Sequence, residues 1–465
     1  MKKITVIYGK AETGLQRKAL EMLSRFLVEY TLEYPALYSA DAFAEEKDRR
    51  YIFIGRRGEN PYLKRAGEFV LSHEEEYRIT VKDGAVYIEG FDDAGVLYGC
   101  IDFFDRYIVH VEYPDTDRYH VNAFERELPD FSHSSYPKVK NRGLWTWGHV
   151  IYDYRGYLDN MVKLKLNTLT VWNDRVPFNA KEFVAYAHDC GIKVIFGYSW
   201  LWSTECAKIP LDKLCDFSEG IFEQYEREYS ALGADGIYFQ SATELSEEKI
   251  GGIVIAEAVT NFVNHTAELF FKKYPELELQ FGLHATSVKN KLDFIKMTDP
   301  RIRIVWENCG SFPFSYVPSD VSDFESTVDF VKKIAVLRGE NDCFGVVTKG
   351  LTKLDWAVFE HPDAPLYVGV GTKELYQNRE MRKRKIWKYL QAYWIAYADK
   401  AEEMVRVMQK AKKGGLYISA LLEDGMFEKT VMYPAALYAE MLWDCSQDIK
   451  TLLSTVALRS CVEFA

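Results

Sequence analysis

Three carboxylates in this chain stand just beyond β-type runs. Glu307 directly follows Ile304-Val305-Trp306. Glu244 comes shortly after Gly236-Ile237-Tyr238-Phe239-Gln240-Ser241, and Asp355 precedes Trp356 in Leu351-Thr352-Lys353-Leu354-Asp355-Trp356. Two carboxyl groups flanking one bond, one protonated and one ionised or activating water, are what glycosidic cleavage generally needs. A glutamate at a strand end beside an aromatic wall is partly desolvated, which raises its pKa and suits it to proton transfer near neutral pH. On this reading Glu244 is the general acid, Glu307 the base or nucleophile, and Asp355 a third candidate. The structural alternatives are a solvated loop glutamate beside Glu247 and Glu248, an ion pair within a barrel, and a helix N-terminal aspartate.

Aromatic residues gather at the same strand ends. Trp145 and Trp147 follow Arg142-Gly143-Leu144, and Trp172 closes Leu169-Thr170-Val171. Trp200 and Trp202 follow Val194-Ile195-Phe196, and Trp306 caps Ile302-Arg303-Ile304-Val305. Indole faces suit the apolar C–H faces of sugars, although large aromatics also fill cores. The expectation is that Trp172, Trp200, Trp306 and Trp356 border one pocket. Asn173, Asp174, Tyr198, Gln240, His284 and Asn308 end strands too and could bond sugar hydroxyls. Arg142 offers a fork of donors for paired hydroxyls or a carboxylate. Because it precedes its strand, the alternative is a salt bridge closing the bottom of a barrel.

The elements that must position these groups alternate regularly from Asn141 onward. Candidate strands are 143–147, 168–172, 193–198, 236–241, 278–283, 303–306, 344–348 and 366–370. Helical periodicity between them covers 157–165, 181–190, 217–232, 254–273 and 324–337. Eight strands with intervening helices close into a (β/α)8 TIM barrel, whose chemistry sits at the C-terminal end of its strands. An open doubly wound sheet is the rival, but no Gly-rich phosphate loop follows any strand. Before the barrel, residues 1–128 form a small α/β domain with strands at 4–8, 51–54, 77–81 and 85–89. The last two are joined by the hairpin signal Asp83-Gly84. The domain has no nucleophile–base pair, so its role is structural. A polar stretch over 127–137 is the linker, 138–375 the catalytic barrel and 376–465 a helical C-terminal region. The basic run at 379–388 reads as a solvated helix face.

Composition narrows the partners. A net charge of −11 over 465 residues argues against nucleic acid, and no apolar run reaches the roughly 18 residues that span a bilayer. Eight cysteines without a C-x-x-C fit reduced thiols in a cytoplasmic protein. With no H-x-H, H-E-x-x-H or G-x-S-x-G, neither a metal site nor a serine esterase is expected, and no cofactor is implied. Lys349 is the one strand-end lysine for a Schiff-base lyase, and nothing else supports that chemistry. The expected partner is an oligosaccharide or glycoside substrate, and composition leaves a homo-oligomer open.

Three segments together resemble the first barrel strands of family 20 β-N-acetylhexosaminidases. They are Asn141-Arg142-Gly143-Leu144-Trp145-Thr146-Trp147, Lys163-Leu164-Lys165-Leu166-Asn167-Thr168, and Ala185-Tyr186-Ala187-His188-Asp189-Cys190-Gly191-Ile192-Lys193-Val194-Ile195. The first domain is similar to the α/β domain that precedes the barrel in family 20 and in family 67 α-glucuronidases. The resemblance covers about residues 50–200, and the rest by layout. It implies a glycosidase of the clan that includes families 20, 67 and 84, with Arg142 gripping sugar hydroxyls and Glu244 as acid. Family 20 carries an Asp immediately before that Glu, to orient the substrate's acetamido group as nucleophile. Here Thr243 stands in its place, so the resemblance does not extend to acetamido-assisted catalysis. A sugar-binding barrel that does not cleave its ligand is therefore the rival reading.

Overall fold

The computed structural model describes residues 3–465 apart from 32–33, 106–127, 149–150, 152, 174, 202–208, 243–246, 285–287, 309–323, 349, 352–366, 370–372, 413 and 423–426. The first layer is a six-stranded sheet. It contains β1 (Lys3–Tyr8), β2 (Ala36–Ser39), β3 (Arg49–Gly55), β4 (Tyr77–Lys82), β5 (Ala85–Gly90) and β6 (Phe131–Ser135), in the order β2-β1-β3-β5-β4-β6. The β4–β5 hairpin turns at Asp83 and Gly84, both at positive φ (52° and 74°), which matches the right-handed twist of the strands it joins. Helices α1 (Gly14–Thr31) and α2 (Asp93–Phe103) pack together against this sheet. Asp92 starts α2 by accepting a hydrogen bond from the Gly95 N–H at 2.8 Å. The stretch expected to be a linker contains β6, which pairs antiparallel with β4. Its alternation of exposed and half-buried residues is that of an edge strand.

A closed parallel barrel follows. Its first four strands are β7 (Asn141–Trp147), β8 (Thr168–Trp172), β9 (Lys193–Gly197) and β10 (Gly236–Phe239). A short antiparallel pair, β11 (Lys249–Ile250) and β12 (Ile253–Val254), leads to β13 (Glu278–His284), β14 (Arg303–Glu307), β15 (Phe344–Thr348) and β16 (Leu416–Leu421). The barrel order is β10-β13-β14-β15-β16-β7-β8-β9. Around it run α3 (Tyr154–Lys163), α4 (Ala180–Asp189), α5 (Ser218–Glu228), α6 (Ile255–Lys273), α7 (Leu292–Ile295) and α8 (Phe324–Ala335). This is the expected TIM barrel.

Its eighth strand is not the expected 366–370, of which 367–369 form a turn. The chain first runs through α9 (Lys373–Ala396) and α10 (Ala398–Ala411), and β16 then closes the ring between β15 and β7. The barrel thus extends to Leu421 rather than ending at 375. Leu416, Ile418 and Ala420 join the helix-side core, whereas Leu421 joins the interior cluster. After β16 come α11 (Tyr433–Trp443) and α12 (Ile449–Ala457).

The two sheets are joined through buried ion pairs. Lys18 Nζ lies 2.6 Å from Asp159 on α3, and Lys165 Nζ lies 3.2 Å from Asp102 on α2. Arg142 at the start of β7 reaches Glu75 at 2.6 Å, and Arg459 beyond α12 reaches Asp105 at 2.8 Å. Several of these contacts hold the first layer against the barrel's N-terminal end, leaving the C-terminal end of the strands for a site. Among the described residues no helix is long and apolar enough to cross a membrane.

Candidate active site

Side chains alternate across a strand, so on each barrel strand every second residue faces the interior. Trp145 and Trp147 on β7, Trp172 on β8 and Tyr238 on β10 meet there in one buried cluster with Ile195, Val305, Val347 and Leu421. The Trp145 ring lies edge-on to Trp147 at 4.7 Å and stacks on Trp172 at 6.3 Å, and both Trp145 and Trp172 meet Tyr238 at 6.0 Å. Rings this large fit because glycines stand opposite them. A Cβ on Gly197 would lie 3.0 Å from Trp172 Cδ2, and one on Gly282 would lie 2.6 Å from Tyr238 Cζ. Lower in the barrel the interior is polar. Arg303 pairs with Glu278 at 2.6 Å, and Tyr417 shares a hydrogen bond with Thr170 at 2.9 Å. Burial pushes the Glu278 carboxyl up, but Arg303 holds it below its usual value overall.

Glu307 ends β14 with its side chain in this interior and is only 3% exposed. Tyr238 crosses above Gly282 and donates its hydroxyl to Glu307 Oε1, and Gln240 donates its amide N–H to the same oxygen. Donors aimed at a carboxylate oxygen favour the ionised form. His284 on β13 is in register with Glu307. At the rim, Asn308 is 1% exposed, and among the described residues neither its amide oxygen nor its amide nitrogen has a hydrogen-bond partner. The Asn173 Oδ1 at the end of β8 is likewise buried with no partner among the described residues. Buried polar atoms left unused cost free energy unless something else meets them. Ser241 instead faces a cavity of about 30 Å³ against α6.

The backbone is strained just beyond β9 and β10. Leu201 and Ala242 have φ of +57° and +47°, a region costly for residues with a Cβ. Trp200 N–H bonds Gln240 O at 3.3 Å and ties the two ends together. The segment carrying Glu244 begins just after Ala242. Glu244 itself, Asp355, Asp174 and Trp356 lie outside the described residues.

Of the expected site residues, the barrel interior brings together Trp145, Trp147, Trp172, Gln240 and Glu307. Several others lie elsewhere. Trp306 points into the helix layer against Phe330 (5.2 Å), and Trp200 stacks on Phe239 (3.6 Å) and Phe270 (5.3 Å). Four tryptophans around one pocket is therefore incorrect for at least these two. The reason is alternation: Glu307 faces inward, so its neighbour Trp306 must face outward. Tyr198 also faces the helices, stacked on Tyr229 with its hydroxyl bonded to Ile221 O at 3.3 Å. Arg142 takes the alternative role, at the opposite end of the barrel. It is fully buried and donates to the carbonyls of Val139, Lys140 and Lys165 as well as to Glu75.

Tyr238 was not among the expected residues. Its signal was available, since it lies two residues before Gln240 and so shares its face. Among the described residues no three or more His, Cys, Asp or Glu side chains are grouped to hold a metal ion.

No protein-family model matches the chain, and no curated protein matches it. Among solved structures, the chain is similar to a GH138 enzyme targeting pectin rhamnogalacturonan II, with a TM-score of 0.54 at 14% identity. That match covers 96% of this chain and 51% of the other, so the chain spans about half the length of the GH138 enzyme. It is also similar to CpGH84B, with a TM-score of 0.53 at 11% identity, covering 98% of this chain and 70% of that one. At such identities the likeness is one of fold, and the fold is one that glycoside hydrolases use.

Proposed function

We propose that this protein is a glycoside hydrolase acting on an oligosaccharide or glycoside. The observation that carries the reading is Glu307, a buried carboxylate at the C-terminal end of a barrel strand. It is held by Tyr238 and Gln240 beside the wall of Trp145, Trp147 and Trp172. In this reading Glu307 is the ionised partner, either attacking the anomeric carbon or taking a proton from the attacking water. Glu244, in the loop after β10, is the acid that protonates the departing glycosidic oxygen. Asn173, His284 and Asn308 are the candidates for hydroxyl contacts, with Asp174 and Asp355 in the neighbouring loops. The wall supplies the ring-stacking face.

Thr243 occupies the position of the acetamido-orienting Asp, which favours two protein carboxylates over substrate assistance. A hexosaminidase or an α-glucuronidase would be a narrower assignment within this reading. Six free cysteines among the described residues support a reducing compartment.

The test is leaving-group dependence. Glu244→Gln should lower kcat by about 10²–10⁴-fold on a glycoside with a poor leaving group. It should lose far less on an activated aryl glycoside, whose leaving group departs unprotonated. Near-wild-type activity of Glu244→Gln on the poor leaving group would remove Glu244 from the mechanism. Absence of turnover on every aryl glycoside tried would favour the sugar-binding reading that Thr243 suggests.

A further inference from the structure

We propose that Phe178 and Tyr367 form an outer aromatic platform that binds a sugar unit of an extended glycan, away from the bond that is cut. This rests on the glycosidase reading and narrows its substrate class to oligosaccharides or polysaccharides. Phe178 lies in the loop between β8 and α4, and Tyr367 in the connection between β15 and α9. Both therefore belong to loops at the barrel's C-terminal end, where chemistry on this fold takes place. Their rings are 68% and 53% exposed and touch, with centroids 5.4 Å apart at 44°. Among the described residues no other ring pair leaves both partners more than half exposed.

Single exposed aromatics are ordinary, but a contiguous exposed pair held in a fixed place is a surface a ligand can use. This pair is fixed. Asn179 donates its amide N–H to Val368 O at 2.8 Å and accepts the Val368 N–H at 2.7 Å. Val368 is 1% exposed and packs over Gly148, just after β7, where an added Cβ would lie 3.2 Å from its Cγ2. The rings are thus ordered before any ligand arrives, which spares that entropy on binding. Two rings inclined to each other offer apolar faces to the C–H face of a pyranose.

The position sets the length of the ligand. Phe178 follows Trp172 by six residues, so it lies within about 20 Å of the tryptophan wall along an extended chain. In the barrel order β8 and β14 are four strands apart in either direction, while the connection that carries Tyr367 leaves β15, beside β14, so the Phe178–Tyr367 contact joins loops from well-separated strands across the mouth. One sugar ring seated at Glu307 inside the barrel would not also cover Phe178 on the rim, whereas a glycan chain crossing the mouth would.

The test uses the full-length protein and Phe178→Ala, Tyr367→Ala and the double variant. Substrates are an aryl monoglycoside that the wild type cleaves and a ladder of oligosaccharides ending in the same sugar. The double variant should lose about tenfold more kcat/KM on the longer oligosaccharides than on the monoglycoside. An equal loss at every length, or none, would overturn the platform. Should no glycoside be turned over, migration in native gels containing soluble pectin, xylan or glycol chitin tests the platform by itself. Retardation of the wild type that the double variant relieves supports it, and identical migration in every gel overturns it. A wild-type dimer that the double variant dissolves would assign the rings to a subunit contact and also overturn it.

Discussion

Replacing Gly282 by alanine should damage stability and activity together, because one hydrogen on β13 leaves the space through which Tyr238 reaches Glu307. A methyl there would stand 2.6 Å from Tyr238 Cζ and 3.0 Å from Gln240 Cγ, the first closer than real Cβ atoms approach anything. The phenol cannot retreat easily, since its ring meets Trp145 and Trp172 at 6.0 Å each. Overpacking of this kind costs about 1–3 kcal/mol. Losing a donor to a buried carboxylate adds about 1.5–3 kcal/mol. Together roughly 2.5–6 kcal/mol should appear as a lower urea midpoint at unchanged m-value. Activity should fall by about 10²-fold, the scale of an ångström-sized misplacement of a reacting group. Gly220 in α5 is the control: nothing lies within 4 Å of a Cβ there, so its alanine variant should gain about 0.5–1 kcal/mol. A Gly282→Ala protein as stable and active as the wild type would refute the packing account of the site.

Other expectations concern the supporting frame. Lys18→Met removes the nearest cation of the buried Asp159 while Arg25 stays at 3.2 Å, and should cost about 1.5–3 kcal/mol in denaturation. Burial pushes the Asp159 carboxyl up, yet Lys18 and Arg25 hold it below its ordinary 3.8. Its contribution is therefore complete above about pH 3.8 and lost as pH falls through the lower native value, and Asp159→Asn should flatten that acid limb. His188 behaves in the opposite sense. Its hydrogen bond to Asp235 raises it above 6.5, so its contribution is present below that pH and fades as pH rises through the native value, a slope that His188→Gln should remove. Trp200→Ala should cost about 3–5 kcal/mol as a core truncation while leaving KM for any substrate unmoved. A KM shift there would return Trp200 to the pocket.

Much of the frame was legible because each barrel strand is short, apolar and ended by an aromatic or polar residue. The first seven strands follow from that pattern, as does the Asp83-Gly84 hairpin. The eighth did not, because the 366–370 run carries β-formers but its described residues, 367–369, form a pinned turn. The true strand, Leu416-Tyr417-Ile418-Ser419-Ala420-Leu421, is set apart by two helices. Its signal was the Gly414-Gly415 break before an alternating run.

In the site, strand-end position alone overcounted. Trp306 and Glu307 cannot both face inward, and applying period two would have sent Trp306 and Tyr198 to the helices and brought Tyr238 in beside Gln240. Arg142 was misleading for another reason. Its guanidinium satisfies carbonyls from three residues and an acid from the other domain, partners no local spacing reveals.

On the glycosidase reading, Glu307 does chemistry rather than merely filling the barrel. The direct measurement is kcat/KM of Glu307→Gln against wild type on an aryl glycoside that the wild type hydrolyses, with the urea midpoint recorded for both. A loss of at least about 10²-fold is expected, in a protein that still unfolds cooperatively. A folded Glu307→Gln variant that hydrolyses the substrate at the wild-type rate would contradict it.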